Sequence, residues 1–198
     1  MKKIVIAGGI GAGKSAATEY LASRGFAIVD ADDVARAVTQ PGEPTWRAIR
    51  DAFGDAVLQD DQTLDRAFIA EIVFHDSSAL KRLNLITHGA IGQEILRRMQ
   101  KATSIAVFVA LPLYREEHRT ALGLDEVWGI LVSPEVAIAR LVAHREFSED
   151  DARARLAAQI TNEERASLVD QVLWNDGTIE ELHAQLDTQL VRSGLSNG

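Results

Sequence analysis

Cysteine is missing from the 198 residues. Disulfides, thiolate catalysis and cysteine-ligated zinc are therefore excluded, and a reducing compartment fits. Long apolar runs are missing as well, since nothing approaches the roughly 18 consecutive apolar residues of a membrane span. The opening Met1-Lys2-Lys3-Ile4-Val5-Ile6-Ala7 sets basic residues before an apolar stretch. Glycine breaks that stretch after about four residues, too soon for a signal peptide. A cytoplasmic protein with no membrane partner is expected. A positive charge excess is also absent. The formal net charge of −8 argues against nucleic acid as the main partner and leaves only a local basic groove open. The 5 histidines show no metal-ligand spacing, so no zinc site is expected. Internal repeats and low-complexity tracts are lacking.

What is present is the composition of a folded protein, 46% hydrophobic and 25% charged, which argues against global disorder. The length suits one medium-sized α/β domain with insertions, and we read residues 1–198 as that single domain. Residues 3–7 are a short β-branched apolar run followed at once by glycines, the pattern of a buried parallel strand. Residues 15–24 read as a helix stopped by Gly25, and residues 26–29 as a second strand. Strand, helix and strand within about 30 residues make a βαβ unit. Residues 105–111, 126–132 and 171–174 supply three more strands, and residues 178–190 a closing amphipathic helix. Residues 41–101 have helical spacing and no strong strand, and predict a helical insertion beside the sheet. Residues 134–169 read as charged helices, with Ser148 placed to cap one of them. Trp46, Trp128 and Trp174 read as packing residues, and residues 193–198 as a frayed tail.

The strongest chemical signal is Gly8-Gly9-Ile10-Gly11-Ala12-Gly13-Lys14-Ser15. It fits G-x-x-x-x-G-K-[ST] in full, after a predicted strand and before a predicted helix. Glycines let the backbone curl so that successive N–H groups face phosphate oxygens, and the helix start adds partial positive charge. Lys14 is expected to reach the β- and γ-phosphates of ATP, and Ser15 to ligate Mg²⁺. Gly9, Gly11, Ala12, Gly13 and Ala16 complete the expected nucleotide contacts.

Asp30-Ala31-Asp32 closes the second strand, where ligands of open α/β sheets bind. A carboxylate there can orient an acceptor hydroxyl and take its proton, and Asp32 is the choice for that role. Asp30 would hold Mg²⁺ through water, or these acids would cap the next helix. Arg140 and Arg145 follow the fourth strand. They would clamp the phosphates from a closing arm, or belong with Arg153 and Arg155 to a solvated, salt-bridged face.

With these residues placed, the chain resembles the dephospho-CoA kinase family over roughly residues 3–177. The phosphate loop, Asp30-Ala31-Asp32 with Arg36, the segment around His88, Pro112-Leu113 with Glu116, Arg140 and Arg145, Gln159, and residues 170–175 stand in the family's order. The resemblance implies a P-loop kinase fold of about five parallel strands, with a helical substrate-binding insertion over about residues 45–103 and a lid over about residues 138–165. It implies Asp32 as base, Arg145 as lid residue and Asn175 near adenine. Asp30, Arg36, His88, Pro112 and Leu113 would then serve the acceptor. The departures include Ala16 for threonine, Ala137 for glutamine and Trp174 for a small acid, together with Gly89 for proline, which is expected to loosen its backbone segment, and Tyr114-Arg115, expected to set a large polar pair at the carboxyl edge after the third strand. The implied activity is transfer of the γ-phosphoryl of ATP, with Mg²⁺, to the ribose 3′-hydroxyl of dephospho-CoA. A kinase for another small acceptor, or an ATP-binding regulator with little turnover, stands as the alternative.

Overall fold

The computed structural model describes residues 1–145 and 147–195, without the side chains of His144 and Arg145. It divides into two compact units, Met1–Asp30 with the chain from Lys101 onward, and Ala31–Gln100.

The first unit is built on five parallel strands, β1 (Lys2–Gly8), β2 (Ala27–Asp30), β3 (Ala106–Ala110), β4 (Glu126–Leu131) and β5 (Gln171–Trp174). Their spatial order is β2-β3-β1-β4-β5. Central strands of a parallel sheet are covered on both faces, so they carry apolar residues without alternation. Ile4, Val5, Ile6, Val107, Phe108, Val109 and Trp128 are accordingly all fully buried. Helices α1 (Lys14–Ser23) and α10 (Ile179–Arg192) contribute Ala17, Leu21, Leu182, Leu186 and Leu190 to the same core as Phe108 and Trp128. The buried Trp128 keeps its indole N–H satisfied by donating to Glu126 Oε2 at 2.9 Å. The remaining helices of this unit are α6 (Glu116–Leu122), α7 (Pro134–Arg145), α8 (Glu149–Ala157) and α9 (Asn162–Ser167). Ser148 caps α8 as its sequence position predicts, accepting from the Asp151 N–H at 3.1 Å.

The second unit is helical: α2 (Ala31–Val38), α3 (Pro44–Phe53), α4 (Arg66–His75) and most of α5 (Ser77–Lys101). Trp46, Ile49, Val57, Leu64 and Ile69 form its core. Asp65 caps α4 through the Phe68 N–H at 2.9 Å.

Four expectations change. Trp174 is 48% exposed rather than packed: it sits on the edge strand β5, beyond which no further strand lies among the described residues. Gly89 lies within the unbroken helix α5, because the long run of i, i−4 hydrogen bonds outweighs the roughly 1 kcal/mol that glycine costs there. Tyr114 turns inward and is buried, leaving Arg115 exposed, so the pair is not a polar rim. Residues 193–195 are held rather than frayed. Ser193 Oγ donates to Glu126 Oε2 at 2.7 Å, and Leu195 is buried in the main core. Residues 196–198 lie outside the described residues.

Candidate active site

In a parallel sheet all carboxyl ends lie on one edge, and loops leaving that edge converge. Gly8 ends β1, Asp30 ends β2 and Ala110 ends β3, with Ile6 and Asp30 both in register with Ala110. The phosphate loop, Asp30 and the exposed Pro112-Leu113 therefore share this edge.

Glycines set the loop's conformation, Gly11 among them with φ +73°. Gly13 precedes α1 with φ +91°, the left-handed region that favours glycine, and an added Cβ would collide with Asn175 Nδ2. At Gly9 a Cβ would come within 3.0 Å of Gln159 Oε1 and 3.2 Å of an Arg165 terminal nitrogen. Both side chains thus lie against the loop backbone.

Hydrogen bonds fix the loop from three directions. Lys14 Nζ donates to the carbonyls of Gly8 at 2.8 Å and Gly9 at 3.1 Å. Asn175 is buried. It donates from Nδ2 to the Ala12 carbonyl at 2.8 Å, and its own N–H reaches the Leu131 carbonyl at 2.8 Å, which ties loop to sheet. Gln159 Oε1 accepts from the Ile10 N–H at 3.1 Å. Ser15 is exposed in the first turn of α1.

Arg140, on α7, approaches Asn175 Oδ1 at 3.5 Å and the Gly177 carbonyl at 3.4 Å. Its other terminal nitrogen is buried without a hydrogen-bond partner among the described residues, a donor whose desolvation is uncompensated. Arg140 therefore departs from the solvated-face alternative, while Arg153 conforms to it through its ion pair with Glu149 at 2.6 Å. Arg145 ends α7, and its side chain lies outside the described residues. Asp32 and Arg36 are exposed on α2, with Arg36 paired to Asp33 at 3.2 Å, and His88 is exposed on α5. These three belong to the helical unit.

Beside the loop lies a cavity of about 590 Å³, within the range of small-molecule sites, lined by Gly9, Ile10, Ile138, Leu156, Gln159 and Arg165. Arg165 is 7% exposed, and burial pushes its pKa below the ordinary arginine value. In the sequence Arg165 carries no signal of its own, because it stands in a charged stretch that resembles any solvated helix, whereas Gln159 belongs to the family pattern.

A family model described as dephospho-CoA kinase matches residues 3–181. A dephospho-CoA kinase from Carboxydothermus hydrogenoformans is 39% identical over 190 residues, 94% of this chain and 92% of that protein. One from Corynebacterium glutamicum is 40% identical over 192 residues, 93% of this chain and 94% of that protein. A crystal structure from Thermus thermophilus superposes with a TM-score of 0.83 at 26% identity, covering 99% of this chain and 98% of that one. A complete phosphate loop at the edge of a five-stranded parallel sheet, and relatives this similar along nearly the whole chain, place the protein in the dephospho-CoA kinase family.

Proposed function

We propose that the protein transfers the γ-phosphoryl group of ATP to the ribose 3′-hydroxyl of dephospho-CoA, giving ADP and coenzyme A. The observation that carries this reading is the intact phosphate loop in a chain that matches the family over residues 3–181. Backbone N–H groups of Gly9, Gly11, Ala12, Gly13, Lys14, Ser15 and Ala16 cradle the phosphates. Lys14 exchanges its carbonyl partners for the β- and γ-phosphates. Ala16 offers no hydroxyl to the α-phosphate, so that contact is left to the backbone. Arg140, whose buried nitrogen has no hydrogen-bond partner among the described residues, and Asn175, bonded to the loop, serve the nucleotide. Arg145 acts from the lid, about residues 138–165.

Asp32 accepts the proton of the 3′-hydroxyl as its oxygen bonds to the γ-phosphorus and the bond to the β–γ bridging oxygen breaks. Asp30, Arg36, His88, Pro112 and Leu113 are assigned to the acceptor, with the helical insertion of about residues 45–103. Among the described residues no group of three or more His, Asp or Glu side chains could hold a metal. That suits Mg²⁺, which is ordinarily bound through few protein groups and the substrate's own phosphates. Ser15 would hold it, and it would neutralise phosphate charge.

A coupled ADP assay tests the proposal. ADP formation should depend on dephospho-CoA and yield coenzyme A in equal amount. ADP release indifferent to dephospho-CoA would refute it.

A further inference from the structure

Arg165 is the most deeply buried charged side chain bordering the loop, and no carboxylate of the described residues pairs with it. The neighbouring acids are turned elsewhere. Glu164 closes the cap of α9, accepting from the Thr161 N–H at 2.7 Å, and Glu163 is exposed. Asn162 fixes the same helix to the end of β4 by donating to the Val132 carbonyl at 2.7 Å. The guanidinium is thereby directed inward against Gly9.

Its hydrogen bonds among the described residues come from one terminal nitrogen, to Gln159 Oε1 at 3.4 Å and the Ile160 carbonyl at 3.3 Å. Charge-assisted bonds are ordinarily about 2.7–2.9 Å long. A buried cation with only long contacts to neutral oxygens is costly to retain. Gln159 Oε1 also accepts from the Ile10 N–H at 3.1 Å. One oxygen thus bridges a loop N–H and a guanidinium, the two donor types that a phosphate oxygen takes in such loops. Lys14 Nζ approaches Gly9 too, at 3.1 Å from its carbonyl, so two cations flank one loop residue.

We propose that Arg165 binds the terminal phosphoryl group of the nucleotide, whose oxygen takes the place of Gln159 Oε1 between Ile10 and the guanidinium. The inference rests on the ATP-binding part of the function proposed above and not on the acceptor. Charge spreads over the equatorial oxygens during transfer, and a planar guanidinium offers them paired donors.

The test compares ATP and ADP binding to wild type and R165M by calorimetry with Mg²⁺ and no acceptor. R165M should weaken ATP at least tenfold and leave ADP within threefold, because only ATP carries the group that Arg165 holds. A purely structural arginine would weaken both alike, and that result, or an ATP loss below tenfold, overturns the proposal. Should R165M fail to fold, R165K carries the same comparison with the same thresholds, since lysine keeps the charge and gives up the paired donors. Absence of coenzyme A formation by the wild type would remove the acceptor assignment and leave this binding comparison decisive for Arg165.

Discussion

Single side chains divide here into those whose role follows from type and spacing and those whose role follows from where the fold buries them. Lys14 and Ser15 are of the first kind. The motif fixes their backbone, and the structure adds only that Lys14 rests on two loop carbonyls. Asp32 is also read from its position after β2, and it supports a sharp test. Asp32→Asn should lower kcat about 10²–10⁴-fold while the KM for ATP changes little, because the carboxylate acts on the acceptor proton. Steady-state kinetics with saturating dephospho-CoA measures both. A larger loss from Asp30→Asn would exchange the two roles. Arg165 is of the second kind. Its neighbours Glu163 and Glu164 give it the look of a solvated helix residue, and only the tertiary placement of α9 takes the guanidinium out of water. The sequence leaves Arg140 between clamp and surface for the same reason.

At the scale of elements, the strands were legible because buried parallel strands leave an unbroken apolar signature. Their order was not, since nothing local in β4 records that it lies beside β1. Helix α5 shows the converse case: Gly89 suggests a loosened segment, yet the hydrogen-bonded run around it prevails. Short α9 depends on its cap, in which Thr161 Oγ1 accepts from the Glu164 N–H at 3.1 Å and Glu164 accepts in return from the Thr161 N–H. Thr161→Ala should therefore cost about 1 kcal/mol of stability. It should also weaken ATP binding, since α9 aims Arg165 at the loop. Urea denaturation and nucleotide titration of the same variant would separate the two effects. Full stability loss with unchanged ATP affinity would mean that the helix does not govern the arginine.

For the first unit as a whole, stability in acid should report on Glu126 at the start of β4. Burial pushes its carboxyl up, but hydrogen bonds from Lys2, Ser193 and Trp128 together outweigh that and hold it below the usual carboxylate range. A group depressed in this way stabilises the fold above its unfolded pKa of about 4.3 and loses that contribution as pH falls through the folded value. Glu126→Gln should therefore be less stable than wild type at pH 7, by roughly 1–2 kcal/mol for the weakened bonds. The gap should close as the pH drops below about 4. Denaturation midpoints of both proteins across that range give the comparison. A gap constant with pH would show that the carboxylate's charge is not what matters. No such network could be read from the chain, because Lys2, Glu126 and Ser193 are brought together only when β1 pairs with β4 and α10 returns along the sheet.

The phosphate loop has a thermodynamic consequence of its own. Its carbonyls are held by Lys14 and Asn175, and one of its N–H groups by Gln159. Fixing a residue's backbone costs about 1–2 kcal/mol, and folding has already met that cost for these residues. An arriving nucleotide therefore orders little and mainly exchanges acceptors, its phosphate oxygens replacing the loop carbonyls at Lys14 and Gln159 Oε1 at the Ile10 N–H. Affinity becomes a small difference between two similar sets of bonds. A site of this kind need not grip its product, and the same exchange run backwards lets ADP leave.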